Sequence, residues 1–103
     1  MEIPSVNNIV RVKNIVVDGK KLIGLEVDLP GAPLVLIRGD KGFIMCGYLN
    51  IEVTNKLGII AAKVSGVKTV EDVLESSIKA VSLEAEKAGI KTGMKVRDVL
   101  DKI

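Results

Sequence analysis

The sequence predicts an α+β domain: a two-layer α/β sandwich on a mixed, largely antiparallel sheet, with an N-terminal β-hairpin region followed by short helices. Three observations carry this. The first half of the chain is a series of β-branched and aliphatic runs divided by glycine and proline turns. The second half brings in short amphipathic segments that start on capping residues. The 103 residues suit one domain with its own core, read as spanning 1–103, and leave no room for a second.

Residues 9–17 are rich in β-branched side chains on both faces, with Val10, Val12 and Val16 on one and Ile9, Ile15 and Val17 on the other. Asp18-Gly19 supplies the positive-φ turn of a tight hairpin. The return strand, 21–29, alternates with Ile23, Leu25, Val27 and Leu29 on one face, and Pro30-Gly31-Ala32-Pro33 breaks it. Residues 34–37 are a continuous apolar run, the pattern of a strand covered on both sides. Gly39-Asp40-Lys41-Gly42 then turns the chain into a second such run, 43–46.

Asn50 caps a helix through about Leu57 that Gly58 ends. Residues 59–64 read as the next strand, so 43–64 form a strand–helix–strand unit whose default is parallel pairing. Thr69 and Asp72 have the spacing of a capping box opening a helix with Val70, Val73 and Leu74 inward. Residues 78–81 suit an edge strand. Ser82 caps 83–88, and Gly89-Ile90 stops that helix. Val96, Val99, Leu100 and Ile103 fall at i, i+3, i+4 and i+7, which predicts a last helix.

Composition limits the chemistry. Hydrophobic residues make up 48 %, yet only Phe43 and Tyr48 are aromatic, so the core must be aliphatic. Lys and Arg number 15 against 13 Asp and Glu, with the signs interleaved. There is neither the basic stripe nor the stacking platform of a nucleic-acid reader. The absence of histidine removes the usual Ser-His and Cys-His nucleophile activation and the two-His zinc motif. A single cysteine, Cys46, rules out an intramolecular disulfide or a multi-thiolate zinc site. No phosphate-binding or dinucleotide glycine motif is present, so no metal and no cofactor is expected. The start of the chain has no secretory pattern and no apolar run is long enough to span a bilayer, which points to a cytoplasmic protein. The lack of Gln and Trp beside abundant Lys, Glu, Ile and Val hints at a thermophilic source.

Two-faced apolar strands with few short helices leave sheet surface uncovered. Such surface is normally buried against another subunit, so a homo-oligomer assembled through residues 9–37 is expected. The place for a site is the segment around Cys46. It puts the sole thiol at a strand end, beside Gly47 and just before a helix start, where a thiolate would be favoured. A buried thiol packing as a small hydrophobe is the plainer alternative. An active Cys46 would need that helix end or a lysine such as Lys63 to activate it. Cys46, Gly47, Tyr48 and Asn50 are the candidate ligand-binding residues, with Glu52 and Asn55 nearby in capping or solvated roles. Arg38 with Asp40 could bind an anion, but Arg38-Gly39-Asp40 is more simply a turn.

The run Gly42-Phe43-Ile44-Met45-Cys46-Gly47 resembles the signature of the YunC-like family of bacterial and archaeal proteins. The likeness continues through Gly58-Ile59-Ile60-Ala61-Ala62, through Val64-Ser65-Gly66-Val67-Lys68-Thr69-Val70-Glu71-Asp72-Val73-Leu74, and through Ala88-Gly89-Ile90-Lys91-Thr92-Gly93-Met94. It spans about residues 20–103 and implies a two-layer fold with an N-terminal β region through which subunits associate, as tetramers. It implies no reaction, because the family has no known function. A looser likeness joins Ala85-Glu86-Lys87-Ala88-Gly89-Ile90-Lys91-Thr92-Gly93 and Gly47-Tyr48-Leu49-Asn50-Ile51 to PDZ peptide binders; the pattern there would want Asp after Gly93, where this chain has Met94. The expectation is thus a homo-oligomer that binds a small molecule or a protein near Cys46. The alternatives are a thiol-dependent or redox-linked enzyme using Cys46 without metal or histidine, and a PDZ-like or strand-edge peptide binder.

Overall fold

The computed structural model describes residues 8–103; of the N-terminal segment, only Met1 to Asn7, which carries no predicted element, lies outside it. One six-stranded sheet runs in the order β1 (Val10–Val17), β2 (Lys20–Val27), β3 (Leu34–Arg38), β4 (Gly42–Met45), β5 (Ile60–Lys63) and β6 (Ala80–Val81). Every neighbouring pair is antiparallel except β4 and β5, which run parallel because α1 (Ile51–Leu57) crosses between them. This is the predicted mixed sheet. Asp18 and Gly19 both take positive φ, 50° and 79°, and close the β1–β2 hairpin without a longer loop.

Local signals set the helices. Asn50 Oδ1 accepts the N–H groups of Glu52 and Val53 at the head of α1, and Gly58 ends it in the left-handed region at φ 68°. Thr69 and Asp72 form the predicted reciprocal box on α2 (Val70–Glu75). Ser82 caps α3 (Leu83–Lys87), whose end closes as a Schellman motif: Gly89 N–H donates to Glu86 O and Ile90 N–H to Ala85 O.

The register assigns the two faces of the sheet. Leu22, Val35, Ile37, Ile44 and Ala62 point to one side, where they meet Val70 and Val73 of α2, Ala85 of α3 and the tail residues Val96, Val99, Leu100 and Ile103 in a single buried cluster. The other side carries adjacent apolar rows: Val10, Val27 and Leu34, then Val12, Leu25, Leu36 and Met45. Val12 and Val16 are about two-thirds exposed there, at 65 % and 66 %.

The alternation of β2 left open which of its faces meets the helices: Leu22, Gly24 and Glu26 do, and Ile23, Leu25 and Val27 do not. The reason is Val70, whose nearer methyl group would lie 2.6 Å from a Cβ at position 24, so the helix approaches where β2 has a glycine. One expectation is corrected: the last segment is not an α-helix. It is two 3₁₀ turns, Val96–Asp98 and Leu100–Lys102, broken at Val99 with φ −119° and ψ 7°. That segment is tied at both ends. Val96 N–H donates to Ser76 O, and Ile103 O accepts from Lys41 and Gly42 N–H. A 3₁₀ rise of about 2.0 Å per residue spans more than the α-helical 1.5 Å. The inward residues are nevertheless those predicted, all buried.

Glu26 is the buried carboxylate of the sheet, 1 % exposed. Its Oε1 accepts Arg11 Nε at 2.9 Å, while Oε2 accepts Lys13 Nζ at 2.8 Å and Val70 N–H at 2.7 Å. Arg11 also makes a two-pronged contact to Asp28, and Lys13 reaches Glu71. Burial opposes ionisation of Glu26, but the hydrogen bonds from Lys13, Val70 N–H and Arg11 outweigh it and hold the carboxyl at about 2, below its ordinary 4.5.

A carboxylate whose folded value lies below its unfolded one adds stability above about pH 4.5, and that stability fades as pH falls toward 2. Glu26→Gln is expected to lower unfolding stability at pH 7 by about 3 kcal/mol, the low end for a buried charge pair losing a partner. Denaturant titrations between pH 7 and 2.5 check this. The wild type should lose stability below pH 4.5, and the variant should show a flatter acid limb. Equal limbs would move the acid sensitivity elsewhere.

Candidate functional site

Parallel strands deliver their carboxyl ends, and the loops that follow them, to one edge of a sheet, and ligands of open α/β sheets bind there. Here the loop after β4 is 46–48 and the loop after β5 is 65–68. The β2–β3 connection, 31–33, supplies a third wall. The three enclose an open cleft of about 500 Å³, within the range of small-molecule sites. Among the residues facing it are Pro33, Val67, Cys46 and Tyr48, with Ser65 and Lys68 as polar members.

Cys46 continues the line of β4 for one more residue: its N–H donates to Val35 O at 3.0 Å. Its Sγ accepts Val35 N–H at 3.4 Å and lies 3.9 Å from Pro33 O, toward which the S–H donates. The thiol is therefore at the base of the cleft, in a residue only 4 % exposed and packed with the core. Tyr48 is half exposed and its hydroxyl donates to Ala32 O at 2.8 Å. Cys46 and Tyr48 thus both fasten the post-β4 loop to the β2–β3 connection. Gly47 sits between them, and a Cβ added to it would meet nothing within 4 Å.

The structure gathers Cys46, Gly47 and Tyr48 at this cleft and leaves Asn50 outside it, its side chain engaged as the cap of α1. Glu52 is exposed, and Asn55 has a role that spacing did not show: its Oδ1 accepts Leu83 N–H at 2.8 Å and ties α1 to α3. Lys63 pairs with Met45, on the face opposite the core-facing Ile44, and makes no bond to Cys46. Neither partner of the Cys46 sulfur is a base. Sequence reasoning missed Ser65, Gly66, Val67 and Lys68. The signal was available, since these are the residues that follow the second strand of a parallel pair.

Fold and cleft together define a small single-sheet α+β protein with a ligand-sized recess at the carboxyl ends of its parallel strands. The chain belongs to the family described as a domain of unknown function, DUF1805, whose model matches residues 45–103. It is 33 % identical over 93 residues to the uncharacterized protein YunC of Bacillus subtilis, covering 86 % of this chain and 92 % of that one. The crystal structure of TA1206, a protein of unknown function from Thermoplasma acidophilum, superposes with a TM-score of 0.88 at 45 % identity, over 90 % of this chain and 91 % of that one. These descriptions name no activity, and none points to a thiol enzyme or a peptide binder. No helix among the described residues is long and apolar enough to cross a membrane.

The burial of Cys46 sets its reactivity. A maleimide or iodoacetamide reagent is expected to label the native thiol at least tenfold more slowly than a free cysteine at pH 8, and at the free rate in denaturant. Labelling at the free rate without denaturant would show that the cleft opens to its base.

Proposed function

We propose that the protein is a non-catalytic binding protein, with a small molecule as ligand and the cleft beside Cys46 and Tyr48 as its site. The observation that supports this is a recess of about 500 Å³ with apolar walls, formed where two loops leave the parallel strands. A thiol enzyme fits less well, because the hydrogen-bond partners of the Cys46 sulfur are main-chain groups of Val35 and Pro33.

The same reading places the protein in the cytoplasm as an assembly of identical subunits. What favours a second copy as partner is the open face of β1–β3. Its two adjacent rows, Val10, Val27 and Leu34 beside Val12, Leu25 and Leu36, carry no charge. Arg38 and Lys21 stand at one border, next to Asn14 and Ile23, and Lys63 at another, beyond Met45. A flat, uncharged patch with a polar rim suits the self-complementary contact of a two-fold dimer, from which a tetramer follows by a second contact.

Two measurements test these statements. A fragment screen by ¹⁵N amide shifts is expected to return ligands that move Gly47, Tyr48 and Val67. Gly47→Leu should keep the wild-type melting temperature and weaken those ligands about tenfold or more, some 1.4 kcal/mol. Fragments that bind only elsewhere would remove the cleft as the site. Sedimentation should give a dimer or tetramer for the wild type and a smaller species for Val12→Lys; a monomeric wild type at micromolar concentration would refute the assembly.

A further inference from the structure

The cleft has a chemical bias that its apolar walls conceal. Among the described residues, the main-chain N–H groups of Gly47, Tyr48, Ser65, Gly66 and Val67 donate to no acceptor, and all five residues line the recess. Val67 is only 7 % exposed. Main-chain N–H groups with no partner inside the protein are satisfied by water or by a ligand. Gly66 adopts φ 72°, the left-handed geometry, although a Cβ there would meet nothing. The glycine is required by the backbone, whose positive φ other residues rarely adopt.

Charge agrees with the donors. Lys68 lines the cleft; its ammonium makes no hydrogen bond or close ion pair among the described residues, and its charge helps to lower the Asp72 carboxyl. No Asp or Glu lines the cleft. Asp72, the nearest carboxylate in the sequence, is occupied by the N–H groups of Lys68 and Thr69. At the start of α2, Val70 N–H is held by Glu26 and Asp72 N–H by Thr69, and Glu71 does not line the recess. Gly31 and Ala32, in the β2–β3 connection, also line the cleft with N–H groups that donate to no acceptor.

We infer that the ligand of this cleft carries an oxyanion head, a carboxylate or a phosphate, seated on the N–H groups of the 47–48 and 65–67 loops and neutralised by Lys68. Its apolar body would lie along Pro33, Val67 and the Tyr48 ring. This rests on the reading of the cleft as a small-molecule site and goes further by fixing the charge and the head group.

Three probes test it by ¹⁵N amide shifts at constant ionic strength: benzoate, its neutral counterpart benzamide, and inorganic phosphate. Benzoate, phosphate or both are expected to move Gly47, Tyr48, Ser65, Gly66 and Val67. Lys68→Gln, which removes an exposed side chain that makes no hydrogen bond, should weaken that binding about tenfold while leaving the unliganded spectrum intact beyond its neighbours, Asp72 among them. Benzoate alone would assign a carboxylate head, and phosphate would assign a phosphate. Benzamide binding in the cleft as tightly as benzoate, or a Lys68→Gln protein that binds the anions as well as wild type, would overturn the oxyanion inference and leave the cleft as a site. No cleft shifts with any of the three would overturn both.

Discussion

The carboxylate of Glu26 is the point at which the sheet, its edge strand and the helix layer are joined. It takes a cation from each of two positions on β1 and the first amide of α2, from a residue almost wholly removed from water. A buried charge left without those partners would cost several kcal/mol, so the three pieces are coupled: none leaves without stranding the others. The coupling matters most for α2. A six-residue helix has no stability of its own, and its placement depends on the box at Thr69, on Val70 seated over Gly24, and on Glu26 holding its first N–H. The loop that enters α2, 65–69, forms one wall of the cleft. The geometry of the recess therefore rests on a carboxylate that takes no part in it.

That constraint also explains why the sheet is lopsided. With Val70 pressed against Gly24 and the Glu26 carboxylate turned to the helix side, the remaining apolar residues of β2 must point the other way. Alternation along a strand fixes which residues share a face, but not which face receives the helices. The alternation of Ile23, Leu25 and Val27 was legible in the sequence. Its direction was not, because it is decided by a glycine and a glutamate whose partners lie 46 and 44 positions further along the chain. A glutamate inside a strand reads as solvated until its cations are located.

The local signals fared differently according to how local they were. Asn50, Thr69 with Asp72, and Ser82 start helices through bonds that span two or three residues, so the caps were readable directly. The tail was readable only in part. Val96, Val99, Leu100 and Ile103 are the buried residues that the spacing named, yet 3₁₀ turns present them. Their helix type is set by tethers at Ser76 and at the Lys41-Gly42 turn. Gly39 belongs to that second tether: a Cβ there would fall within 2.3 Å of Ile103 O, so the turn and the chain end fit only without a side chain.

The candidate site shows where side-chain patterns stop being informative. Reasoning from residue types led to Cys46, Gly47 and Tyr48, and the structure does bring these three to one recess. It led there because thiols and aromatic rings are conspicuous. The chemistry that distinguishes the recess is carried instead by main-chain N–H groups, which every residue but proline owns and which no composition displays. What decides whether such a group is free is the bonding of its neighbours. In the loop after β5, Asp72 takes the N–H groups of Lys68 and Thr69 and Glu26 takes that of Val70, while those of Ser65, Gly66 and Val67 are left over. An apolar wall holds a ligand by area without discriminating charge. Unpartnered donors beside a lysine would favour an anion, since a neutral occupant would leave them unsatisfied. In the proposed binding role, specificity is a property of the residual donors that folding leaves at the ends of two parallel strands.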